Sequence, residues 1–207
     1  MTLQVLIIAF IVSFLGSIPP GTINISSMQL SVQGLKRPAF FFALAASLTE
    51  FVYAGITVRF QIFLSERPAF TDNFQMITAV AMIVLGIANL LAKNNTKSLI
   101  DKAQHIKGRN GFKRGVVLGL LNPLTIPFWL AVTAYLQNHQ WINLQQENFW
   151  FYLVGISSGT FTLLLTVNQL GQKFTSIANN QFLVHKLPGW IFIALGVYNF
   201  AEWMNVL

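Results

Sequence analysis

The chain reads as an all-α integral membrane protein of about six transmembrane helices, built as two inverted three-helix repeats. Three observations carry this reading. Hydrophobic residues make up 54% of the 207 positions and charged residues 9%, against roughly 25% charged in an ordinary soluble domain. Two apolar stretches are each interrupted near the middle by a helix breaker, Pro19-Pro20-Gly21 and Asn122-Pro123. The pattern Leu-Gly-x-x-Asn occurs twice, at Leu85 to Asn89 and Leu195 to Asn199.

Spans are expected over Leu3 to Val32, Pro38 to Leu64, Phe74 to Leu91, Gly115 to Leu136, Phe149 to Gly171 and Leu187 to Val206. Each is about long enough for a hydrocarbon core that needs some 20 apolar residues. The first is longer than a straight crossing, which suits a segment that bends at Pro19-Pro20-Gly21. No basic stretch precedes it and no small-residue cleavage pattern follows, so a cleaved signal peptide is not expected.

A proline inside a helix removes an N–H donor and clashes with the preceding turn, which frees backbone polar groups. At membrane depth such groups survive only when buried in protein or lining a wet cavity. Matching breaks in two halves of one chain point to a substrate site at a repeat interface, and so to a transporter. Gly86 and Gly196 are 110 residues apart and Pro20 and Pro123 are 103 apart, a difference that loop insertions absorb. The unit is then about three helices, and an odd number of crossings turns the second copy upside down. One domain, 1–207, therefore divides into repeat one at 1–92, a basic loop at 93–114 and repeat two at 115–207.

The net charge of +7 is distributed by topology. Lys36 and Arg37, the seven basic residues from Lys93 to Arg114, and Lys173 with Lys186 all fall in alternate loops; the opposite side holds only Arg67 outside the spans. The positive-inside rule puts the basic loops in the cytoplasm and both termini outside. Topology explains the basic loop better than nucleic acid does, so no nucleic-acid partner is expected. Trp150, Trp190 and Trp203 lie near span ends, where amphipathic rings anchor at the interface. With no cysteine, and with His105, His139 and His185 far apart in predicted loops, neither a metal site nor a cofactor is expected.

The run Gly16-Ser17-Ile18-Pro19-Pro20-Gly21-Thr22, then Gly34 and the small-residue stretch ending in Glu50, resembles the first half of the LysE/RhtB amino-acid exporter family. Gly111-Phe112-Lys113-Arg114-Gly115 followed by Leu120-Leu121-Asn122-Pro123 is similar to that family's second half. The resemblance implies six helices in an inverted repeat and export of amino acids or related small polar metabolites across the bacterial inner membrane, driven by the proton motive force. Two departures sit where substrate would be handled. The family's Pro-Gly-Pro reads Pro20-Gly21-Thr22, and the lysine that often follows its Asn-Pro is Leu124.

Glu50 is the leading site residue. It lies about a dozen residues into its span, close to the bilayer midplane, where an ionisable group is a functional hypothesis by default. Its helical neighbours Ala43, Ala46, Ser47, Tyr53, Ala54 and Thr57 form a small, partly polar face that should point into the bundle. The carboxylate could bind a substrate ammonium or carry a coupling proton; alternatively it is a structural hydrogen-bonding group. Arg59, nine residues on, falls on the opposite face and suits the interface.

Thr22, Asn24, Asn122 and Thr125 flank the breaks and join Pro20, Gly21 and Pro123 in the candidate site. Half-helix ends there could face an anionic group, or these side chains could simply cap. Gly155, Gly159, Thr162, Thr166 and Gln169 follow one face of the fifth span, a stripe that favours close helix packing. Asn89 and Asn199 are read as capping or interhelical groups.

The expected partners are a small-molecule substrate, a coupling proton and the lipid bilayer, and a homo-oligomer is compatible with the sequence. A divalent-cation exporter would want several converging carboxylates, and a non-transporting scaffold would not need paired breaks. No nucleophile, base and orienter stand at a recognisable spacing, so an enzyme is not expected.

Overall fold

The computed structural model describes residues 2–18, 22–65, 68–91, 110–122, 125–144, 147–170, 180, 182 and 186–204, without the side chains of 64–65 and 68–75. Among these residues the protein is all-helical. The helices are α1 (Thr2–Gly16), α2 (Thr22–Val32), α3 (Lys36–Ser65), α4 (Pro68–Leu91), α5 (Gly111–Leu120), α6 (Thr125–Asn138), α7 (Glu147–Leu170) and α8 (Leu187–Trp203). Over Lys36–Phe63 and Glu147–Leu170 the chain is long and apolar enough to cross a membrane. The pair α5 and α6, bent by 66°, forms a third unit of that kind. The first and fourth expected spans are thus each two helices. Pro19, Pro20, Gly21 and Pro123 lie outside the described residues.

On α1 and α3 most large apolar side chains face outward and most small ones inward. On α1, Leu3, Ile7, Ile11 and Leu15 are exposed at four-residue spacing while Val5, Ala9 and Ser13 are buried on the other side. On α3, Phe41, Leu48, Val52 and Ile56 are exposed, and Ala39, Ala43, Ala46, Ala54 and Thr57 are buried. Exposed apolar surface of this extent marks contact with a partner or a membrane. In lipid, where burial of hydrocarbon drives no association, small residues on the inner faces let backbones approach.

That approach is closest at glycines. Gly155 and Gly159 of α7 meet Ala9 and Ser13 of α1, and a Cβ at Gly155 would lie 2.5 Å from the Leu6 carbonyl oxygen. Gly115 and Gly119 of α5 meet Ala45 and Thr49 of α3. Gly86 of α4 meets Ile193 and Gly189 of α8, and Gly196 of α8 meets Ile83 and Ala79 of α4. These contacts recur with the partners exchanged. Ala9 and Ser13 lie 106 positions before Gly115 and Gly119, while Ala45, Thr49, Ala79, Ile83 and Gly86 lie 110 before Gly155, Gly159, Gly189, Ile193 and Gly196.

The change from 106 to 110 falls in one loop. At the end of α2 the Leu35 and Gly34 N–H groups donate to the Leu30 and Ser31 carbonyls at 2.9 Å each, with Gly34 at φ 73°. At the end of α6 the Trp141 and Gln140 N–H groups donate to Leu136 and Gln137 in the same way, with Gln140 at φ 58°. Both are Schellman motifs closed by a left-handed residue, and they lie 106 positions apart. From there α3 starts at Lys36 and α7 only at Glu147, so the extra residues follow the second turn. The two prolines, 103 apart, are three residues out of this register.

The basic loop is shorter than expected at its end. Asn110 caps α5, its side chain accepting from the Lys113 N–H at 3.2 Å, so 111–114 is the first helical turn. Arg114, counted in the sequence as a cytoplasmic loop charge, is instead 8% exposed. Its Nη2 donates to Ser26 Oγ at 3.2 Å and Gln29 Oε1 at 3.1 Å, joining α5 to α2.

Candidate functional site

The inward face of α3 presents Glu50 to α6 and α7. The indole Nε1 of Trp129 donates to Glu50 Oε1 at 3.0 Å, and the Thr160 hydroxyl donates to Oε2 at 2.7 Å. Each carboxylate oxygen therefore has its own donor, one from the helix after the second break and one from α7. Three residues earlier on each helix, Ser157 Oγ donates to the Ser47 carbonyl at 3.0 Å. Both of these contacts between α3 and α7 join residues 110 positions apart, the offset at which contacts exchange partners. Each residue thus meets its own counterpart.

Packing fixes Trp129. It is fully buried, with Phe128 edge-on at 4.9 Å and Tyr152 at 6.2 Å between ring centroids. Tyr152 is tied in turn to Thr133, their hydroxyl oxygens 3.0 Å apart. A large ring held by neighbours on its own and the adjacent helix keeps its N–H aimed with little freedom, which suits preorganisation of a polar group in an apolar setting.

From Thr160 the network runs to α1. Thr160 Oγ1 lies 2.8 Å from Ser13 Oγ and 3.4 Å from Ser17 Oγ. Ser13 Oγ donates to the Ile156 carbonyl at 2.7 Å. The Ser17 carbonyl accepts from Asn24 Nδ2 at 2.6 Å. A polar path therefore connects the carboxylate to the end of α1 and to α2 beyond the first break. At the second break, Tyr53 OH donates at 2.6 Å to the Leu120 carbonyl, one of the last in α5, which satisfies a backbone acceptor left open by the ending helix.

Of the residues read from the sequence as site candidates, Glu50 and Asn24 belong to this connected network. Thr125 is buried in the first turn of α6, one turn before Trp129. Thr22 is exposed at the start of α2, and Asn122 closes α5 through its N–H to the Gly119 carbonyl at 3.2 Å. Pro20, Gly21 and Pro123 lie outside the described residues. Arg59 is exposed and stacks over Phe149, 4.5 Å from the ring centroid. Gly155 and Gly159 serve packing, while Thr162 and Thr166 donate to their own helix at Ser158 and Thr162. Asn89 donates to the Leu85 carbonyl at 3.2 Å, and Asn199 is fully buried.

Sequence reasoning missed Trp129, Thr160, Ser13 and Ser17. Thr160 had a signal, since the offset of the Leu-Gly-x-x-Asn pair applied to Glu50 lands on it. A second polar cluster also went unread. On α2, Ser27 Oγ donates to Asn168 Oδ1 at 2.7 Å and Ser31 Oγ donates to the Asn168 carbonyl, while Asn168 Nδ2 donates to the Ala39 carbonyl at 3.2 Å. Among the described residues no group of three or more His, Asp or Glu side chains could hold a metal ion.

No curated protein and no solved structure matches the chain. The family model of the LysE type translocator matches residues 14–201, a stretch that contains both breaks, Glu50 and every residue of the network except Ser13. That family consists of membrane transporters that move small molecules, not of enzymes. With nearly its whole length matched, the chain belongs to the LysE type translocator family.

Proposed function

We propose that the protein is a secondary transporter that exports amino acids or related small polar metabolites across the bacterial cytoplasmic membrane, driven by the proton motive force. In this reading it crosses six times as an inverted repeat, with both termini outside, and Glu50 carries the coupling proton. The observation that carries it is the paired contact between α3 and α7. Residues that bond to their own counterparts must lie beside a twofold axis, so Glu50–Thr160 and Ser47–Ser157 support an axis running between these helices. The exchanged glycine contacts support the same axis.

Such an axis explains why one carboxylate suffices. In an inverted repeat, the two halves exchange roles as access alternates between the two sides of the membrane. A group on the axis is equally reachable from either cavity. A carboxylate there accepts a proton while open to one side and releases it while open to the other, provided its neighbours accommodate both forms. Amino acids fit this setting because an ammonium group can take the ionised carboxylate's place as its partner, so that substrate and proton compete for one site. Thr22, Asn24, Asn122 and Thr125, with Pro20, Gly21 and Pro123, flank the substrate path at the two breaks.

Efflux from proteoliposomes loaded with radiolabelled l-amino acids, with and without a pH gradient, tests the proposal. Glu50→Gln should fold and insert, lose gradient-driven efflux and retain slow exchange. Wild-type rates with wild-type pH dependence in Glu50→Gln would reduce the residue to a structural hydrogen-bonding group.

A further inference from the structure

We infer that the Thr160 hydroxyl is a relay that passes the protonation state of Glu50 to α1, and through it to the first helix break. This rests on Glu50 carrying the coupling proton.

The number of protons available on each group fixes the direction of every link. Trp129 Nε1 can only donate, and it occupies Oε1. Thr160 and Ser13 each own one hydroxyl proton and can accept as well. When Glu50 is ionised, Thr160 gives its proton to Oε2, and its oxygen is open to accept from Ser13 or Ser17. When Oε2 takes up a proton from water, the carboxyl becomes the donor to Thr160, because no proton on Thr160 can then share that line. Thr160 turns its own proton to Ser13 Oγ, 2.8 Å away, and Ser13 accepts while donating to the Ile156 carbonyl. One proton enters, no bond between heavy atoms forms or breaks, and three donors come to point the same way, from Glu50 through Thr160 and Ser13 to Ile156.

Loss of the proton reverses the first link and leaves the Thr160 oxygen to accept from Ser13 or Ser17. Chains of hydrogen bonds in low dielectric polarise one another, so the arrangement changes as a unit. Its far end is mechanically placed. Ser17, just past the end of α1, stands one turn beyond Ser13, and the Ser17 carbonyl holds Asn24 of α2, so the strength of the α1–α7 attachment is read where the first span divides.

Other titratable groups on the described parts of the helices around α3 bond elsewhere. Arg114 of α5 bonds Ser26 and Gln29, Tyr152 of α7 bonds Thr133, and Tyr53 of α3 itself bonds Leu120. Tyr135 of α6 packs against the His139 ring at a tilt, Lys113 is exposed, Glu147 lies at the first residue of α7, and α2 carries none.

The test uses the full-length protein in vesicles of phosphatidylethanolamine and phosphatidylglycerol. Infrared difference spectra between acidic and alkaline buffer report the Glu50 carboxyl band, identified by its loss in Glu50→Gln. In Thr160→Val, which keeps the shape and removes the hydroxyl, that band should move to higher frequency. Gradient-driven efflux of a mixture of radiolabelled l-amino acids should fall by roughly tenfold, the scale of one charge-assisted hydrogen bond, with a flattened pH profile. Thr160→Ser should restore both. An unmoved band with a wild-type pH profile in Thr160→Val, or a Thr160→Ser protein as impaired as Thr160→Val, would overturn the relay alone. A wild-type protein with no titrating Glu50 band would overturn the coupling reading and the relay with it. Should Thr160→Val not fold, Ser13→Ala decides: the relay requires a flattened pH profile, and an unchanged profile sinks it.

Discussion

The indole of Trp129 donates to Glu50 across the α3–α6 interface at 3.0 Å, so the one carboxylate of this network is oriented by the helix that follows the second break. The interaction does more than fill space. A donor that can never accept keeps Oε1 in the acceptor role in both protonation states and steers an arriving proton to Oε2.

Trp129→Phe keeps most of the ring packing against Phe128 and Tyr152 and deletes only that donor. Gradient-driven efflux should fall by roughly tenfold, on the scale of a hydrogen bond to a charged group, while thermal stability in detergent drops little. Trp129→Ala, by contrast, should lose about 3–5 kcal/mol of stability through the cavity it leaves. Equal losses of stability in the two variants would assign Trp129 to packing alone.

The divided first and fourth spans predict that Pro20→Ala and Pro123→Ala each favour a continuous helix and impair transport while leaving membrane insertion intact. Because the prolines stand three residues out of register relative to the surrounding contacts, the two variants should differ in severity. Full transport by both would make the breaks incidental kinks.

Topology is open to direct chemistry, since the chain has no cysteine of its own. Single cysteines at Ser98 and Gln145 should behave oppositely toward an impermeant thiol reagent in intact cells: Gln145→Cys is labelled and Ser98→Cys is protected. The reverse pattern would invert the proposed orientation.

The α4–α8 interface makes a paired prediction. A Cβ at Gly86 would lie 2.6 Å from Ile193 Cγ1 and 2.7 Å from the Gly189 carbonyl oxygen, and one at Gly196 would lie 2.7 Å from Ile83 Cγ1 and 2.9 Å from the Ala79 carbonyl oxygen. Gly86→Val and Gly196→Val should therefore destabilise by similar amounts, about 1–3 kcal/mol each, as read by thermal denaturation. A large difference between them would show that the exchanged contacts are not energetically equivalent.

Much of this architecture was legible because bilayer thickness leaves a sequence little choice. Apolar runs bounded by charge gave most helix ends within a few residues, although α4 starts at Pro68 rather than Phe74, and Pro20 and Pro123 gave the two divisions. Glu50 stood out because a carboxylate in a long apolar segment has few structural excuses. Its partners did not stand out. Trp129 reads as one more aromatic in an apolar span, and a serine or threonine in a membrane helix usually satisfies itself on its own backbone, as Thr162 and Thr166 do. Arg114 was misread for a similar reason: a basic residue at the end of a basic loop looks solvated, and only the packing of α2 against α5 turns it inward. The Gly111, Gly115 and Gly119 stripe passed unnoticed although the quoted motif holds its first two members and its spacing matches that of Gly155 and Gly159.

The interlocked helix pairs also govern how the molecule comes to be made. The close interfaces of α1 with α7, α3 with α5 and α4 with α8 all join an early helix to a late one, so the first half leaves the ribosome with its glycine-matched surfaces uncovered. Glu50 is synthesised 110 residues ahead of Thr160, and at roughly 5–20 residues per second it waits on the order of 5–20 s for that donor. During biogenesis the early helices must be held by the insertion machinery or by one another, and a chain truncated after α4 would be a substrate for quality control.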